Sequence, residues 1–331
     1  MPRLRIGLVF ELLGSRPLAP GEPADADAEY EPEETIAALE AALRRLGCEP
    51  VRLGGPRALL AAGGCRPAVD AVLNVAEGEG TRNREAWAPV LLEMLGVPVL
   101  GSDALTLSLS LDKAWAKDVL AAAGIPCAPH ASVESRAEAE VAAARIGFPL
   151  FVKPRWEGTA KGIRRSARVD EPARLAAEVT RVWRDYRQPA LLEAFLPGAE
   201  YTVCVSGHAP ARAWPALQRA LERETKIGVH ALAREPGAEA FATEAPGALT
   251  PALDAELGRL ALAAFAALRC RDFARVDFKL DAAGAPRFLE INPLPTLAPD
   301  GSFAILAELL GEPYDAFLAG ILAEGLRRLG L

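Results

Sequence analysis

Short apolar runs alternate with stretches of helical periodicity over the first hundred residues. LRIGLVF is followed by a periodic segment from Glu33 to Leu46, then PVRL, a short Ala/Leu segment, AVLNV, a second periodic segment from Arg84 to Leu95, and VPVL. Apolar strands interleaved with amphipathic helices predict an open parallel sheet covered by helices, an α/β arrangement. Pro32 stands where a first helical turn tolerates it, and Gly47 and Gly96 stand just past two helix ends. Between Glu11 and Glu31 the chain is rich in Pro, Ala, Asp and Glu and carries no period. A stretch of that length reads either as a mobile loop beside a ligand cleft or as a disordered segment.

The pattern then changes. A helix is predicted from Asp112 to Ala123, closed by Gly124 and Pro126, and another from Arg136 to Ile146. Next come a strand at PLFVKP, a glycine-containing loop WEGTAKG, a helix around Ala173 to Arg184 and a strand at ALLEAFL. Strands near EYTVCVSG, an irregular stretch from Leu221 to Ala248, a long Ala/Leu helix from Leu253 to Leu268 and a final helix complete the chain. Three units, 1–104, 105–189 and 190–331, are the simplest division.

The segment FARVDFKLDAAGAPRFLEIN carries the densest chemical information. Val276, Phe278 and Leu280 alternate with Arg275, Asp277 and Lys279; after the DAAG turn, Leu289 and Ile291 are expected on one face with Glu290 and Asn292 on the other. A hairpin with Asp277, Glu290 and Asn292 on one surface offers the oxygen donors that Mg²⁺ takes beside phosphates. A solvated strand face would show the same alternation. Upstream, Lys153 ends an apolar strand ahead of the loop between Gly158 and Gly162, whose N–H groups could hold phosphate oxygens, although GxxxxGK[ST] is missing. Lys113 falls in the first turn of a predicted helix, where the helix dipole disfavours a cation unless an anion is near.

Composition narrows the class. The 331 residues are 51% hydrophobic and 24% charged, with a formal charge of −7. A globular enzyme with room for two or three domains fits, and a nucleic-acid binder does not. Cys48, Cys65, Cys127, Cys204 and Cys270 are scattered without metal-ligand spacing, as core thiols of a reducing compartment are. The N-terminal apolar run is too short for a membrane span. A cytoplasmic protein is expected.

Taken in order, SLDK, VKPRWEG, LLEAFLPGAEYTV, FARVDF and LEIN resemble the ATP-grasp fold, and the resemblance is to the D-alanine–D-alanine ligase family. It runs from about Ala71 to Ser302 and includes VLGSDALTLSLSLDK. The resemblance implies ATP between two antiparallel-sheet units, with Lys113 and Lys153 on its phosphates. It also implies Glu193, Ala194, Phe195 and Leu196 around adenine, Glu200 on the ribose, and Asp277, Glu290 and Asn292 on Mg²⁺ or Mn²⁺. Arg275 would stabilise the acyl-phosphate and tetrahedral intermediate, Thr159 would keep the hydroxyl of the family's loop serine, and Lys226 would contact phosphate from a mobile loop. The implied activity is an ADP-forming carboxylate–amine ligase acting on small amino-acid or carboxylate substrates, in a homodimer.

The amino-acid half departs from the family pattern. Ile227 follows Lys226 where a tyrosine is expected, the LHG motif becomes AEG with Glu77 in place of histidine, and Thr296 replaces a glycine. The N-terminal glycine-rich signature is replaced by AEYEPEET, leaving Glu33 or Glu34 for a substrate ammonium, while Gly301 and Ser302 lie near the acceptor position. A ligase for a different carboxylate in small-peptide or natural-product assembly is the alternative within the class. A non-catalytic nucleotide-binding regulator is the alternative outside it, and Arg275, useful only to a reacting acyl group, speaks against that.

Overall fold

The N-terminal apolar run forms β1 (Arg5–Val9) in a computed structural model that describes residues 3–235 and 237–331. It lies between β2 (Glu49–Gly54) and β3 (Ala71–Asn74), and β4 (Val99–Leu100) extends the sheet in the order β2-β1-β3-β4, all parallel. All of β3 is buried, because helices cover both faces of such a sheet and its strands read as unbroken apolar runs. α1 (Glu33–Arg45) turns Ile36, Leu39 and Leu43 onto Ile6 and Leu8. α2 (Pro56–Ala61) and α3 (Trp87–Met94) pack Leu59 and Leu92 around Val9 and Val72 on the opposite face.

α4 (Ala104–Leu111) and α5 (Lys113–Ala122) lead to a second sheet, which is antiparallel. Its strands, β5 (His130–Val133), β6 (Leu150–Pro154), β7 (Arg168–Val169) and β8 (Ala190–Ala194), run in the order β5-β8-β6-β7. α6 (Arg136–Ile146) and α7 (Pro172–Tyr186) bury Ala139, Leu175, Val179 and Val182 against it.

The third sheet joins β9 (Glu200–Gly207), β10 (Ala211–Ala213) and β11 (Leu217–Arg219) to the long hairpin. β12 (Leu221–Glu222) and β13 (Thr243–Glu244) pair apart from it around α8 (Val229–Leu232). α9 (Pro251–Ala267), capped by Thr250 at Leu253 N–H, lays Leu257, Leu260 and Phe265 over Tyr201, Val276 and Phe278. β14 (Phe273–Leu280) and β15 (Pro286–Asn292) form the hairpin itself.

That hairpin corrects one expectation. Asp277 pairs with Glu290, but the next pair is Phe278 with Phe288, so Leu289 is the extra residue of a β-bulge. Phe288, rather than Leu289, joins Ile291 in the core, and Leu289 borders the cleft. Strict alternation cannot register such an inserted residue.

Two further expectations change on folding. α10 (Ser302–Leu309) and α11 (Tyr314–Arg328) return to the N-terminal sheet, where Phe303, Leu318 and Leu322 share the core of Ile36 and Leu43. The division at 190–331 therefore cuts across a core that two distant segments build together. The stretch from Glu11 to Glu31 is also tied down: Leu13 N–H donates to Glu31 O at 3.0 Å, Glu31 N–H to Glu11 O at 3.1 Å, and Glu29, Tyr30 and Glu31 are buried.

Candidate active site

Asp112 sets the two phosphate-side lysines relative to one another. It caps α5 by accepting from Trp115 N–H at 3.2 Å, which puts Lys113 in the first turn. The same carboxylate holds Arg155 at 2.7 and 2.9 Å and Trp156 Nε1 at 3.2 Å, two and three residues beyond Lys153. The SLDK helix and the β6 loop are thereby fastened through one buried charge. Lys113 Nζ donates to Glu157 O at 2.5 Å and stands 3.3 Å from Glu290 Oε2.

Lys153 reaches Glu193 Oε2 at 2.6 Å, while Lys117, wholly buried one turn after Lys113, takes Glu193 Oε1 at 2.8 Å. Burial alone would raise the Glu193 carboxyl, but Lys117 and Lys153 together outweigh it and hold it at about 2. Glu290 is likewise held at about 2, burial being overcome by Lys113, Lys153 and Arg275. Both carboxylates are thus charged at neutral pH.

Across the cleft, Arg275 Nε lies 3.0 Å from Asp277 Oδ2 and its Nη2 is 3.7 Å from Glu290 Oε1. Thr202 Oγ1 donates to Asp277 Oδ1 at 2.7 Å, fixing that carboxylate. Arg219 extends the chain of contacts, donating to Thr202 Oγ1 at 3.0 Å and to Ser302 Oγ at 2.5 Å. Asn292 stands opposite Arg275 in the β14–β15 register, on the Glu290 side of the hairpin but outside the cleft lining. Among the described residues no set of three His, Cys, Asp or Glu gathers as a metal cluster. The donor set is two carboxylates and an amide.

Lys113, Lys153, Glu193, Arg219, Arg275, Asp277, Glu290 and Ser302 line one cavity of about 520 Å³ between the two antiparallel sheets. At one end Phe151, Phe195, Leu196 and Leu289 wall an apolar slot next to Glu193 and Ala194, with the Phe151 and Phe195 rings 6.5 Å apart and tilted by 39°. Glu200 sits beside it, 3.2 Å from Lys279 Nζ and 3.5 Å from His230 Nε2. At the other end are Arg219, Thr296, Asp300, Gly301 and Ser302. Thr159 borders the middle with Lys161, and Arg234 Nη1 donates to Thr159 O at 2.8 Å.

Of the residues singled out in the sequence, Lys113, Lys153, Thr159, Glu193–Leu196, Glu200, Arg275, Asp277, Glu290, Gly301 and Ser302 come together. Lys226 does not: its ammonium is on Glu244 Oε1 at 2.5 Å and only its carbonyl faces inward, accepting from Lys279 Nζ at 2.5 Å. Glu33 and Glu34 are on the solvent side of α1, Glu33 paired with Arg52 at 2.5 Å. Glu77 turns to Arg84 at 3.5 Å behind the cleft. The buried acids of that region are Glu29, Glu31 and Glu85, and Glu31 accepts from Thr296 Oγ1 at 3.0 Å.

Lys117, Lys161, Arg219, His230, Arg234 and Lys279 were not legible as a group. Only Lys117 carried a signal, a cation four residues from Lys113 on a helix face otherwise filled by Ala and Leu. His230 and Arg234 come from the irregular stretch between Leu221 and Ala248, where no period indicates direction, and Arg219 ends the three-residue strand β11, which is too short to show one.

The D-ala D-ala ligase C-terminus family model matches residues 119–323. An uncharacterized protein, y4sG, of Sinorhizobium fredii is 33% identical over 78% of this chain and 75% of its own length. A D-alanine–D-alanine ligase of Halorhodospira halophila is 33% identical over 72% of this chain and 74% of its own. Among solved structures, the VanG D-Ala:D-Ser ligase from Enterococcus faecalis superposes with a TM-score of 0.75 at 18% identity, covering 98% of this chain and all of that one. The Bacillus anthracis D-alanine–D-alanine ligase complexed with ATP gives 0.71 at 22% identity, with 98% of each chain covered. Sequence relatives at this level establish kinship, and the structural neighbours establish the same fold. The chain belongs to the D-alanine–D-alanine ligase family and is an ATP-dependent, ADP-forming ligase of that type.

Proposed function

We propose that the cleft joins two amino-acid-like substrates through an acyl-phosphate, with ATP held from the Phe151–Phe195 slot to the Lys113–Lys153 pair. The observation that carries this reading is the pairing of Asp277 with Glu290 in register beside Arg275, with Lys113 and Lys153 lining the same cavity. Glu193–Leu196 frame the base, and Glu200 is placed for ribose hydroxyls. Asp277, Glu290 and Asn292 would hold Mg²⁺ or Mn²⁺; the charged state of Glu290 and the oxygen-only donor set suit a hard cation. When bound, that cation supplies charge neutralisation at the phosphoryl oxygens.

A substrate carboxylate oxygen attacks the γ-phosphorus as the bond to ADP breaks, giving the acyl-phosphate. Lys113 and Lys153 orient the phosphates, and Thr159 and Lys161 border the transferring group. The amine of the second substrate then attacks the acyl carbon, Arg275 donates to the oxyanion, and phosphate leaves as the nitrogen gives up a proton to it. Arg219 and Ser302, at the far end, offer donors to the acceptor's carboxylate. The exposed Leu60, Val90, Leu105 and Trp115 border one groove and give the proposed homodimer its surface. No helix among the described residues is long and apolar enough to cross a membrane, and an ATP-dependent reaction and five free cysteines fit work in the cytoplasm. Incubation with ATP, Mg²⁺ and pooled D- and L-amino acids, with phosphate release followed and products identified by mass, tests the reading. A coupled amide product supports it, and ATP cleavage without one contradicts it.

A further inference from the structure

The loop after β6 has an unusual backbone. Thr159 and Ala160 both adopt left-handed conformations, with φ of 47° and 57°, between Gly158 and Gly162. Two successive non-glycine residues in that region persist only where surrounding contacts over-determine them. Those contacts come from the other end of the chain. Glu29 Oε1 accepts from Gly158 N–H at 2.6 Å and from Arg84 Nη2 at 2.7 Å, and Glu29 Oε2 takes Lys161 Nζ at 2.8 Å. A second anchor lies four residues earlier, where Asp25 accepts from Gly162 N–H at 3.0 Å and from Tyr186 O–H at 2.9 Å. The fit is close at both glycines: a β-carbon on Gly158 would stand 2.7 Å from Glu29 Oε1, and one on Gly162 would stand 2.7 Å from Pro154 Cγ.

The direction of approach separates two roles for Glu29. A carboxylate inserted from the cleft would occupy phosphate space and oppose nucleotide. Neither Glu29 nor Asp25 borders the cavity, whereas Thr159, Ala160 and Lys161 do. The segment grips the loop from behind and leaves its inner surface free. Arg84, nearly fully buried and flanked also by Glu77, Glu85 and Glu157, holds Glu29 in place from the N-terminal sheet side.

We propose that Glu29 is a positioning residue: it clamps the 157–162 loop from the N-terminal domain in the shape that receives the phosphates of ATP. The inference rests on reading this loop as part of the nucleotide site. It gives the Glu11–Glu31 stretch a task in the reaction, since its grip from behind shapes the loop at the phosphate end of the cleft.

The test compares the full-length wild type with Glu29→Gln, using a non-hydrolysable ATP analogue with Mg²⁺ for calorimetry and hydrogen exchange for the loop. Expected in the variant are exchange of the 158–162 amides at least tenfold faster with the remaining sheets unchanged, about tenfold weaker analogue binding, and a KM for ATP that rises more than kcat falls. Asp25→Asn, which leaves Glu29 and Lys161 intact, should show the same local loosening to a smaller degree, and it carries the test if Glu29→Gln does not fold. Unchanged loop exchange and affinity, tighter analogue binding, or faster exchange spread evenly through the chain would each overturn the proposal. A wild type that fails to bind the analogue would instead overturn the nucleotide-site reading on which the proposal stands.

Discussion

Lys117 and Glu193 form an ion pair of 2.8 Å at the floor of the cleft, and the lysine has no exposure to solvent. Since Glu193 also holds Lys153 at 2.6 Å, the two lysines share one carboxylate. On the proposed nucleotide reading, phosphates would draw Lys153 away and Lys117 would keep the buried charge of Glu193 compensated. Replacing Lys117 by Met should leave Lys153 as the sole partner of that charge, weaken ATP binding about tenfold, and destabilise the fold by about 3–5 kcal/mol, the usual result of breaking a buried pair. Adding Glu193→Gln should recover much of both losses. Calorimetry and denaturant titration of the single and double variants check this, and a double variant worse than Lys117→Met would contradict it.

Lys153 and Arg275 should separate kinetically. Lys153→Ala is expected to weaken ATP binding, while Arg275→Ala leaves affinity nearly intact and lowers the chemical rate about a hundredfold or more, as loss of an oxyanion donor does. Equal losses of nucleotide affinity in the two variants would show that their roles are misassigned.

Stability should respond to pH in two windows. Burial pushes Glu31 and Glu85 up to about 7; a carboxyl raised in the fold stabilises it fully below its ordinary 4.5, and that contribution is lost as pH rises through about 7. Glu29, Glu193 and Glu290 are held at about 2 by their cationic partners against burial, so their contribution is full above 4.5 and lost as pH falls toward 2. The melting temperature should therefore peak near pH 4.5 and decline from there to about 7. Glu31→Gln should raise the Tm at pH 8 by a few degrees, since about 1 kcal/mol shifts a large domain by roughly 2–4 °C, and it should flatten the decline between about 4.5 and 7. A decline that Glu31→Gln leaves unaltered would contradict the assignment.

Substrate choice follows from the rebuilt end of the cleft. Ile227 is buried where the family pattern supplies a tyrosine hydroxyl, and Thr296 is engaged with Glu31. A substrate polar group left without its partner in a buried site costs about 1–3 kcal/mol of binding. D-Alanine alone is expected to support little phosphate release, with a different amino acid restoring it. Efficient D-alanyl-D-alanine synthesis, with a KM in the ordinary range of roughly 1 μM to 1 mM, would contradict this.

Much of this was legible in the chain, for physical reasons. The parallel sheet, the helix bounds and the Asp277–Glu290 hairpin follow from periods of 2 and 3.6 that burial imposes locally, and SLDK and VKP mark places where a cation departs from its local preference. The Leu289 bulge broke that period, and the return of α10 and α11 to α1 depends on contacts between opposite ends of the chain. Glu29 was hidden because its acidic neighbours Asp25 and Asp27 look alike in sequence, and only folding shows which carboxylate meets Gly158. Glu33 and Glu34, chosen at the helix start, face water because the first turn of α1 directs Thr35 and Ile36 inward.

Amino-acid-dependent phosphate release by the wild type and by Glu290→Gln, measured with ATP and Mg²⁺ under identical conditions, bears most directly on the site. Expected is release by the wild type in step with amide formed, and nearly complete loss in Glu290→Gln with cooperative unfolding retained, because Glu290 faces a cleft and contributes little packing. Turnover near the wild-type level in a folded Glu290→Gln would contradict the assignment of Asp277, Glu290 and Asn292 to the metal and of this cleft to ATP cleavage.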